Sequence, residues 1–315
     1  MAVKTQPPPG LTESPRLQMK SRRRRISVDM IRERSWATLF VLPMVGLLAI
    51  FRLWPLADAF NLSFKSWDGI SDPVGIGWDN FRQMASDDTL RTSFFNNLKI
   101  TLAIPVWVLA PFFIAQALHN RVRGWKFLRI AFFLPALLSP VVVGIYWGLV
   151  LKPRGPIDTA VSAVSSVSPD QDWLNVPGAA FLIVVLVLMW STFGIGVLIY
   201  LAGLSTLDQE VLEAARVDGA STSQLQRHIV FWMMIPVIRL WTVLIFIAAY
   251  AGIFPLVFSL TRGGPGYSTS VLEFDIYQEA FSNGSLGYAC AIGVALMCFV
   301  AVSIAAISWL LKDRD

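Results

Sequence analysis

The sequence predicts an all-α membrane protein with six transmembrane helices. Three observations predict this fold class: 55% of the 315 residues are hydrophobic, only 15% are charged, and the mean hydropathy is +0.58. A soluble domain carries about a quarter of its residues as charged side chains, because its surface faces water. The uncharged residues also form blocks long enough to cross a bilayer, so most of the surface must face lipid or other helices.

Six blocks are long enough to be spans. The first has Arg52 and Asp58 near one end, where both side chains can reach interfacial water, and the other five carry no charge. We end the fourth near Leu204, because the adjoining Gly-Leu-Ser-Thr sequence favours a helix end. The predicted spans cover about 36–60, 100–118, 130–151, 178–204, 240–261 and 286–311.

The distribution of positive charge predicts the orientation. Lys and Arg concentrate on the cytoplasmic side of membrane proteins. Here 18 of the 26 fall in the two tails, the 119–129 loop and the 205–239 segment, and only eight fall on the other side of the membrane. We therefore expect both termini in the cytoplasm, with residues 1–35 as a basic, disordered tail and 312–315 as a short one. The run Arg22 to Arg25 in the first tail is interpreted either as a topology determinant or as a docking site for anionic lipid.

Several motifs that would indicate catalysis or nucleotide binding are absent from the sequence. It contains no G-x-x-x-x-G-K-[ST] phosphate loop, no H-E-x-x-H and no G-x-S-x-G. The basic residues lie in tails and short loops, which argues against a nucleic-acid partner. We expect a chain that is not an enzyme, contains no cofactor or metal, and leaves ATP to another subunit.

Residues 205–235, between spans four and five, predict two short helices joined by a glycine turn. Thr206 and Gln209 have capping-box spacing, and a first helix should run to about Val217. Gly219 can end that helix, and Ser221 with Gln224 repeats the capping pattern. The apolar residues expected on one face of the first helix are Leu207, Val211 and Ala215.

The same segment carries a family resemblance. Glu213-Ala214-Ala215, then Asp218-Gly219-Ala220, then Ile229 resembles the EAA loop of binding-protein-dependent ABC importer permeases. The resemblance implies the type I ABC importer permease fold, with this loop as a coupling helix that docks in a cleft of the ATP-hydrolysing subunit. It also implies polar contacts by Glu213, close approach at the two alanines and a bend at Gly219.

Two points qualify this resemblance. Phe231-Trp232 stands where the family usually has Leu-Pro, which affects the angle at which the chain enters span five. The alternative interpretation of the segment is a solvated amphipathic linker that happens to contain Glu-Ala-Ala, a strong helix-forming tripeptide.

Flanking motifs resemble the sugar branch of the family, the longer first permease of maltose and glycerol-phosphate importers. They are Leu53-Trp54-Pro55 with Asn61 to Phe64, Gly77 to Phe81, and Thr261 to Gly266. The resemblance implies a heterodimer with a second permease in a bacterial plasma (inner) membrane. It also implies an ABC ATPase dimer that holds ATP and Mg, and an extracytoplasmic sugar-binding protein.

A sugar path needs aromatic faces and neutral hydrogen-bonding groups. Spans four and five offer Trp190, Ser191, Thr192, Tyr250 and Phe254, beside glycines and a proline that can interrupt a helix. The alternative for each residue is ordinary packing between helices. For the chain as a whole, the alternatives are a six-span secondary carrier or channel independent of ATP, a membrane-embedded enzyme, and a permease paired with itself. A carrier should show ionisable groups within its spans, and spans two to six contain none.

Overall fold

The computed structural model describes residues 41–164, 170 and 172–310. The predicted tails, 1–35 and 312–315, and the first residues of the first predicted span lie outside these ranges. Contacts divide the chain into two units, one that ends at Asp58 and one that begins at Ala59. Both parts of the candidate site lie in the second unit.

The described chain is mostly helical. A single two-stranded antiparallel sheet pairs β1 (Lys65–Ser66) with β2 (Val74–Gly75) in the described ranges. The helices are α1 Val41–Leu62, α2 Asp79–Ser86, α3 Asp88–His119, α4 Trp125–Leu137, α5 Pro140–Val150, α6 Pro156–Val164, α7 Pro177–Ser205, α8 Gln209–Val217, α9 Thr222–Met233, α10 Ile235–Ala251, α11 Phe254–Leu260, α12 Leu272–Tyr277 and α13 Leu286–Leu310.

Four helices of the described chain, α1, α3, α7 and α13, are long and apolar enough to cross a membrane. The number rises to as many as six if each of two bent pairs is counted as one span. The pair α4 and α5 is bent by 102°, and the pair α9 and α10 by 62°. Spans four and six of the sequence prediction coincide with α7 and α13 to within two residues.

The second predicted span is only part of α3. The helix begins at Asp88, well before residue 100, because Asp87 Oδ1 accepts hydrogen bonds from the backbone N–H of Thr89 and Leu90 at 2.9 and 3.1 Å. The polar residues after this cap continue the helix beyond its apolar part.

The third and fifth predicted spans are interrupted. Between α4 and α5, Pro140 supplies no N–H, and Ser139 caps the new helix through Val142. The fifth breaks after Ala251, where Gly252 has φ −159° and ψ 0° and α11 begins two residues later. Hydropathy does not reveal these breaks, because uncharged, mainly apolar residues continue on both sides of each.

The core lies where α3, α7 and α10 pack together. Its largest fully buried side chains include Trp107, Tyr200 and Met234. Gly194 of α7 allows close packing, since a Cβ there would overlap the backbone of Phe132 in α4. The helix α7 ends at Ser205, where residues 205–235 begin.

Candidate functional site

The first part of the candidate site is the docking segment, residues 205–235. Its first helix, α8, begins after Asp208, whose Oδ1 accepts a hydrogen bond from the backbone N–H of Glu210 at 2.9 Å. The prediction that Thr206 caps this helix was wrong, because its Oγ1 donates instead to the Gly203 carbonyl at 2.8 Å. A carboxylate two residues nearer to the helix competes successfully for the free N–H groups.

The turn between the two helices forms as the sequence predicts. Gly219 has φ +87°, a left-handed conformation that glycine adopts without strain. The N–H of Ala220 donates to the Ala215 carbonyl at 3.0 Å, which closes a Schellman turn. The predicted capping box is confirmed: Ser221 Oγ accepts from the N–H of Gln224 at 3.3 Å, and Gln224 Oε1 accepts from the N–H of Ser221 at 2.9 Å.

The two faces of α8 differ from the predicted pattern. Leu212 is the buried residue, whereas Val211, which was expected on the buried face, is 43% exposed. Glu213 and Ala214 lie on the surface, and Val217 is 87% exposed. The outer face of α8 therefore presents apolar side chains at Val211, Ala214 and Val217 beside a carboxylate.

The other predicted coupling residues divide between the surface and the core. Asp218 and Gly219 are exposed, and Ala220 is half-buried. Ala215 and Ile229 are partly buried and pack against the hydrophobic core. One side of the segment is thus anchored to the membrane domain and the other faces outward.

The second part of the candidate site is the set of residues predicted to line a path. Trp190 is 37% exposed and meets Trp147 edge-on at 5.4 Å between ring centroids. Ser191 donates to the backbone carbonyl of its own helix at Leu188. Thr192 accepts a hydrogen bond from Trp107 Nε1 at 2.9 Å, which ties α7 to α3. Trp190 therefore offers the most accessible surface of the three.

Tyr250 is buried, with 1% of its surface exposed. Its hydroxyl lies 2.9 Å from Thr101 Oγ1, and its ring stacks on Phe246 at 4.7 Å and lies 5.3 Å from Phe299. In this conformation Tyr250 presents no open face to a ligand.

The break in the fifth predicted span is stabilised by two distant side chains that the sequence analysis missed. Glu273 Oε2 accepts hydrogen bonds from the N–H groups of Ile253 and Phe254 at 2.9 and 2.8 Å. Asn97 donates through Nδ2 to the Ala249 carbonyl at 2.9 Å, and its Oδ1 accepts from the N–H of Leu272 at 3.0 Å. Backbone groups freed by the break thus find partners on α3 and α12.

A row of aromatic rings leads away from this break. Phe254 lies 5.0 Å from Tyr277 and 5.5 Å from Phe258, and Tyr277 lies 5.3 Å from Phe281. Phe281 is 76% exposed and the other three rings are partly exposed. The i, i+4 spacing of each pair was visible in the sequence, but only the fold brings the two pairs together.

Several acidic side chains lie close together at α12. Burial raises the pKa of Asp275 to about 6, and the negative charges of Asp87 and Glu279 act in the same direction, against the hydrogen bond that Ser270 Oγ donates at 2.7 Å. Burial also raises the pKa of Glu273, opposed by its two backbone hydrogen bonds. Across the described ranges, no group of three or more His, Cys, Asp or Glu side chains is arranged to hold a metal ion.

Solved structures share this fold. The chain aligns with a bacterial ABC transporter involved in the import of the acidic polysaccharide alginate, with a TM-score of 0.73 and 21% identity over 91% of this chain and 98% of the other. A second structure, of a bacterial alginate ABC transporter in complex with an alginate pentasaccharide-bound periplasmic protein, gives a TM-score of 0.72 and 21% identity over 90% and 96%.

Relatives of similar sequence are also named as permease proteins. A probable ABC transporter permease protein of Pyrococcus horikoshii is 31% identical over 84% of this chain and 92% of its own length. A probable starch degradation products transport system permease protein of Thermoanaerobacterium thermosulfurigenes is 28% identical over 89% and 95%. An sn-glycerol-3-phosphate transport system permease protein of Yersinia pestis is 28% identical over 84% and 90%. These similarities confirm the resemblance drawn from the sequence.

The family model described as the inner membrane component of binding-protein-dependent transport systems matches residues 73–310. This range contains the docking segment, the broken fifth span and the aromatic row. The chain is a membrane-embedded permease and belongs to the family of binding-protein-dependent transport system inner membrane components.

Proposed function

We propose that this chain is a permease subunit of an ATP-driven importer and forms half of the translocation path for a sugar or sugar derivative. The observation that carries the proposal is the docking segment, a helix–turn–helix with one anchored side and one outward side in a chain of this family. The sugar assignment draws on relatives that are named for starch degradation products and sn-glycerol-3-phosphate, and on the aromatic residues around the broken span.

The proposal includes partners and a topology. In this proposal the chain lies in a bacterial inner membrane and crosses it six times, with both termini in the cytoplasm. A second permease completes the path, an extracytoplasmic binding protein delivers the sugar, and an ABC ATPase dimer holds ATP and Mg. This chain itself carries no cofactor and catalyses no reaction.

The docking segment would pass the free energy of nucleotide binding to the membrane domain. The exposed apolar face of α8 has the size and character of a helix that inserts into a groove, with Glu213 beside it for a polar contact. Ala215 and Ile229 pack on the core, so a displacement of α8 pulls on α9 and α10. Coupling requires that the ATPase contact α8 differently in its two states.

The path would run past the break in the fifth span. Sugar rings present C–H groups that stack on aromatic faces. The row from Phe281 through Tyr277 to Phe254 offers such faces one after another in space. Trp190 on α7 would add one more face, with Ser191 and Thr192 as neighbouring hydroxyl groups, and Tyr250 would enter the path when the helices rearrange.

The test is co-purification of the tagged chain from its native membrane, with mass spectrometry of the proteins retained. We compare wild type with Glu213→Lys, which reverses one exposed charge and keeps a good helix former. Asp72→Lys makes the same charge change at an exposed position outside the docking segment and is the matched control.

Recovery of an ATPase and a second permease with wild type and with Asp72→Lys, and loss of the ATPase with Glu213→Lys, supports the proposal. Recovery of the chain alone would favour the carrier or channel that works without ATP. An ATPase that stays bound to Glu213→Lys would remove Glu213 from the docking contact.

A further inference from the structure

A cationic cavity lies where the end of α3, the start of α4 and the end of α7 meet. Its volume is about 400 Å³, and its lining includes His119, Arg121, Trp125 and Arg129. The three basic side chains are exposed and the indole is half-buried. A ring that is partly buried beside exposed charges is typical of the boundary between water and lipid.

An apolar groove adjoins this cavity. The groove has a volume of about 240 Å³ and is lined by Ile130, Phe133, Leu134 and Leu137. Arg129 and Leu198 line both cavities, so the two are continuous at that point. Ile130, Leu134 and Leu137 are each at least 60% exposed, which leaves the apolar groove open along α4.

Among the described residues, no acidic side chain lines the cavity. The sequence has no Asp or Glu from residue 89 to residue 157, whereas the 119–129 loop carries four Lys and Arg residues. The ion pairs found in the described part of the chain are Arg82 with Asp79 and Arg154 with Asp170, so neither Arg121 nor Arg129 takes part in one. A guanidinium group binds phosphate through two parallel hydrogen bonds and is well suited to a phosphate ester.

We propose that the cationic cavity and the apolar groove together bind one anionic phospholipid. Arg121 and Arg129 hold the phosphate, Trp125 lies against the glycerol region, and an acyl chain follows the groove along α4. A soluble anion would fill only the cationic cavity, and the ammonium group of a zwitterionic lipid would bring a further positive charge close to the arginines. The joined pair of cavities matches a ligand with a charged head and an apolar tail.

The site has a structural consequence for transport that does not depend on the nature of the substrate. Leu198, Leu201 and Ser205 of α7 line the cationic cavity, and the docking segment begins at residue 205. A bound lipid would therefore brace the end of α7 against α4, on the route from the docking segment to the membrane domain.

The test uses the whole transporter purified from its native membrane and stripped of lipid. Native mass spectrometry then measures the binding of added dioleoylphosphatidylglycerol. Dioleoylphosphatidylcholine, which has the same phosphate but no net charge, is the zwitterionic comparison. The variant Arg121→Gln with Arg129→Gln removes the two lining charges. Arg123→Gln with Lys126→Gln removes two charges from the same loop at positions that do not line the cavity, and is the matched control.

We expect the lining pair to lower the affinity for the anionic lipid by about tenfold or more, and the control pair to leave it within about twofold. The pair Arg121→Lys with Arg129→Lys should give an intermediate affinity, because charge is kept and the bidentate contact is lost. Gel filtration of each variant complex checks assembly, and the lysine pair keeps the test decisive if the glutamine pair does not assemble.

Three results would overturn the proposal. Equal losses from the lining and control pairs would indicate a diffuse attraction without a site. Complete displacement of the lipid by inorganic phosphate would indicate a soluble-anion site. No binding by the assembled wild-type transporter would mean that another subunit covers the groove.

Discussion

The carboxylate of Glu273 accepts a hydrogen bond from the backbone N–H of Phe254 at 2.8 Å, and a second from Ile253 at 2.9 Å. The two partners lie about twenty residues apart in the sequence, on opposite sides of a loop. Glu273 lies in the first turn of α12, so this helix supplies the cap for α11. A buried N–H that loses its acceptor costs about 1–3 kcal/mol.

Glu273→Ala should therefore weaken transport and lower the thermal stability of the purified complex. Glu273→Gln keeps an acceptor oxygen at the same place and should retain most of the stability. Thermal unfolding monitored by fluorescence, together with substrate uptake, distinguishes the two variants. Equal stability of the alanine and wild-type proteins would mean that water replaces the carboxylate.

The raised pKa of Asp275 predicts a pH dependence. The ordinary value for Asp is 3.8 and the folded value is about 6, so the folded chain binds the proton more tightly than the unfolded chain. This contribution to the free energy of unfolding is complete below about pH 4 and is lost as the pH rises through 6. It amounts to roughly 3 kcal/mol.

Asp275→Asn should flatten the dependence of the melting temperature on pH between about pH 4 and pH 7. Asp68→Asn is the control, because backbone hydrogen bonds from Ile70 and Ser71 hold the pKa of Asp68 at about 2, below this interval. An unchanged slope in Asp275→Asn would assign the titration to another group.

The left-handed conformation of Gly219 predicts that two substitutions there will affect transport to different degrees. Gly219→Pro removes the N–H that donates to the Arg216 carbonyl at 3.1 Å and forbids φ +87°, so it should abolish transport without loss of membrane insertion. Gly219→Asn should retain transport, because Asn tolerates the left-handed region and a Cβ there meets no atom within 4 Å. Uptake assays and membrane fractionation measure both effects. Normal uptake by the proline variant would contradict the coupling role of the turn.

Trp190 and Tyr250 should respond differently to truncation. Trp190→Ala should change uptake and leave subunit assembly intact, since the ring is partly exposed. Tyr250→Ala should also change uptake, but with a loss of stability, because the ring is buried against Phe246 and Phe299. Tyr250→Phe loses only the contact with Thr101 and isolates the hydroxyl. Unchanged uptake in both alanine variants would mean that neither Trp190 nor Tyr250 lines the substrate path.

The sequence was sufficient for features that depend on neighbouring residues. Uncharged length predicted α7 and α13, and cap chemistry predicted the turn at Gly219 and the box at Ser221. Hydropathy could not predict the break in the fifth span, because its partners, Asn97 and Glu273, come from elsewhere in the chain. The buried position of Leu212 in place of Val211 was missed for a related reason: the direction from which α8 meets the core is set by the end of α7.

The partners of the broken span also impose an order on its assembly during synthesis. Asn97 is made long before Ala249, whereas Glu273 leaves the ribosome after Phe254. A nascent chain that ends near Leu260 therefore already contains Asn97, which donates to the Ala249 carbonyl. It still lacks Glu273, which accepts from the free N–H groups at the start of α11. The cap of α11 therefore forms only after α12 has been synthesised, so the broken span completes its hydrogen bonds late in synthesis.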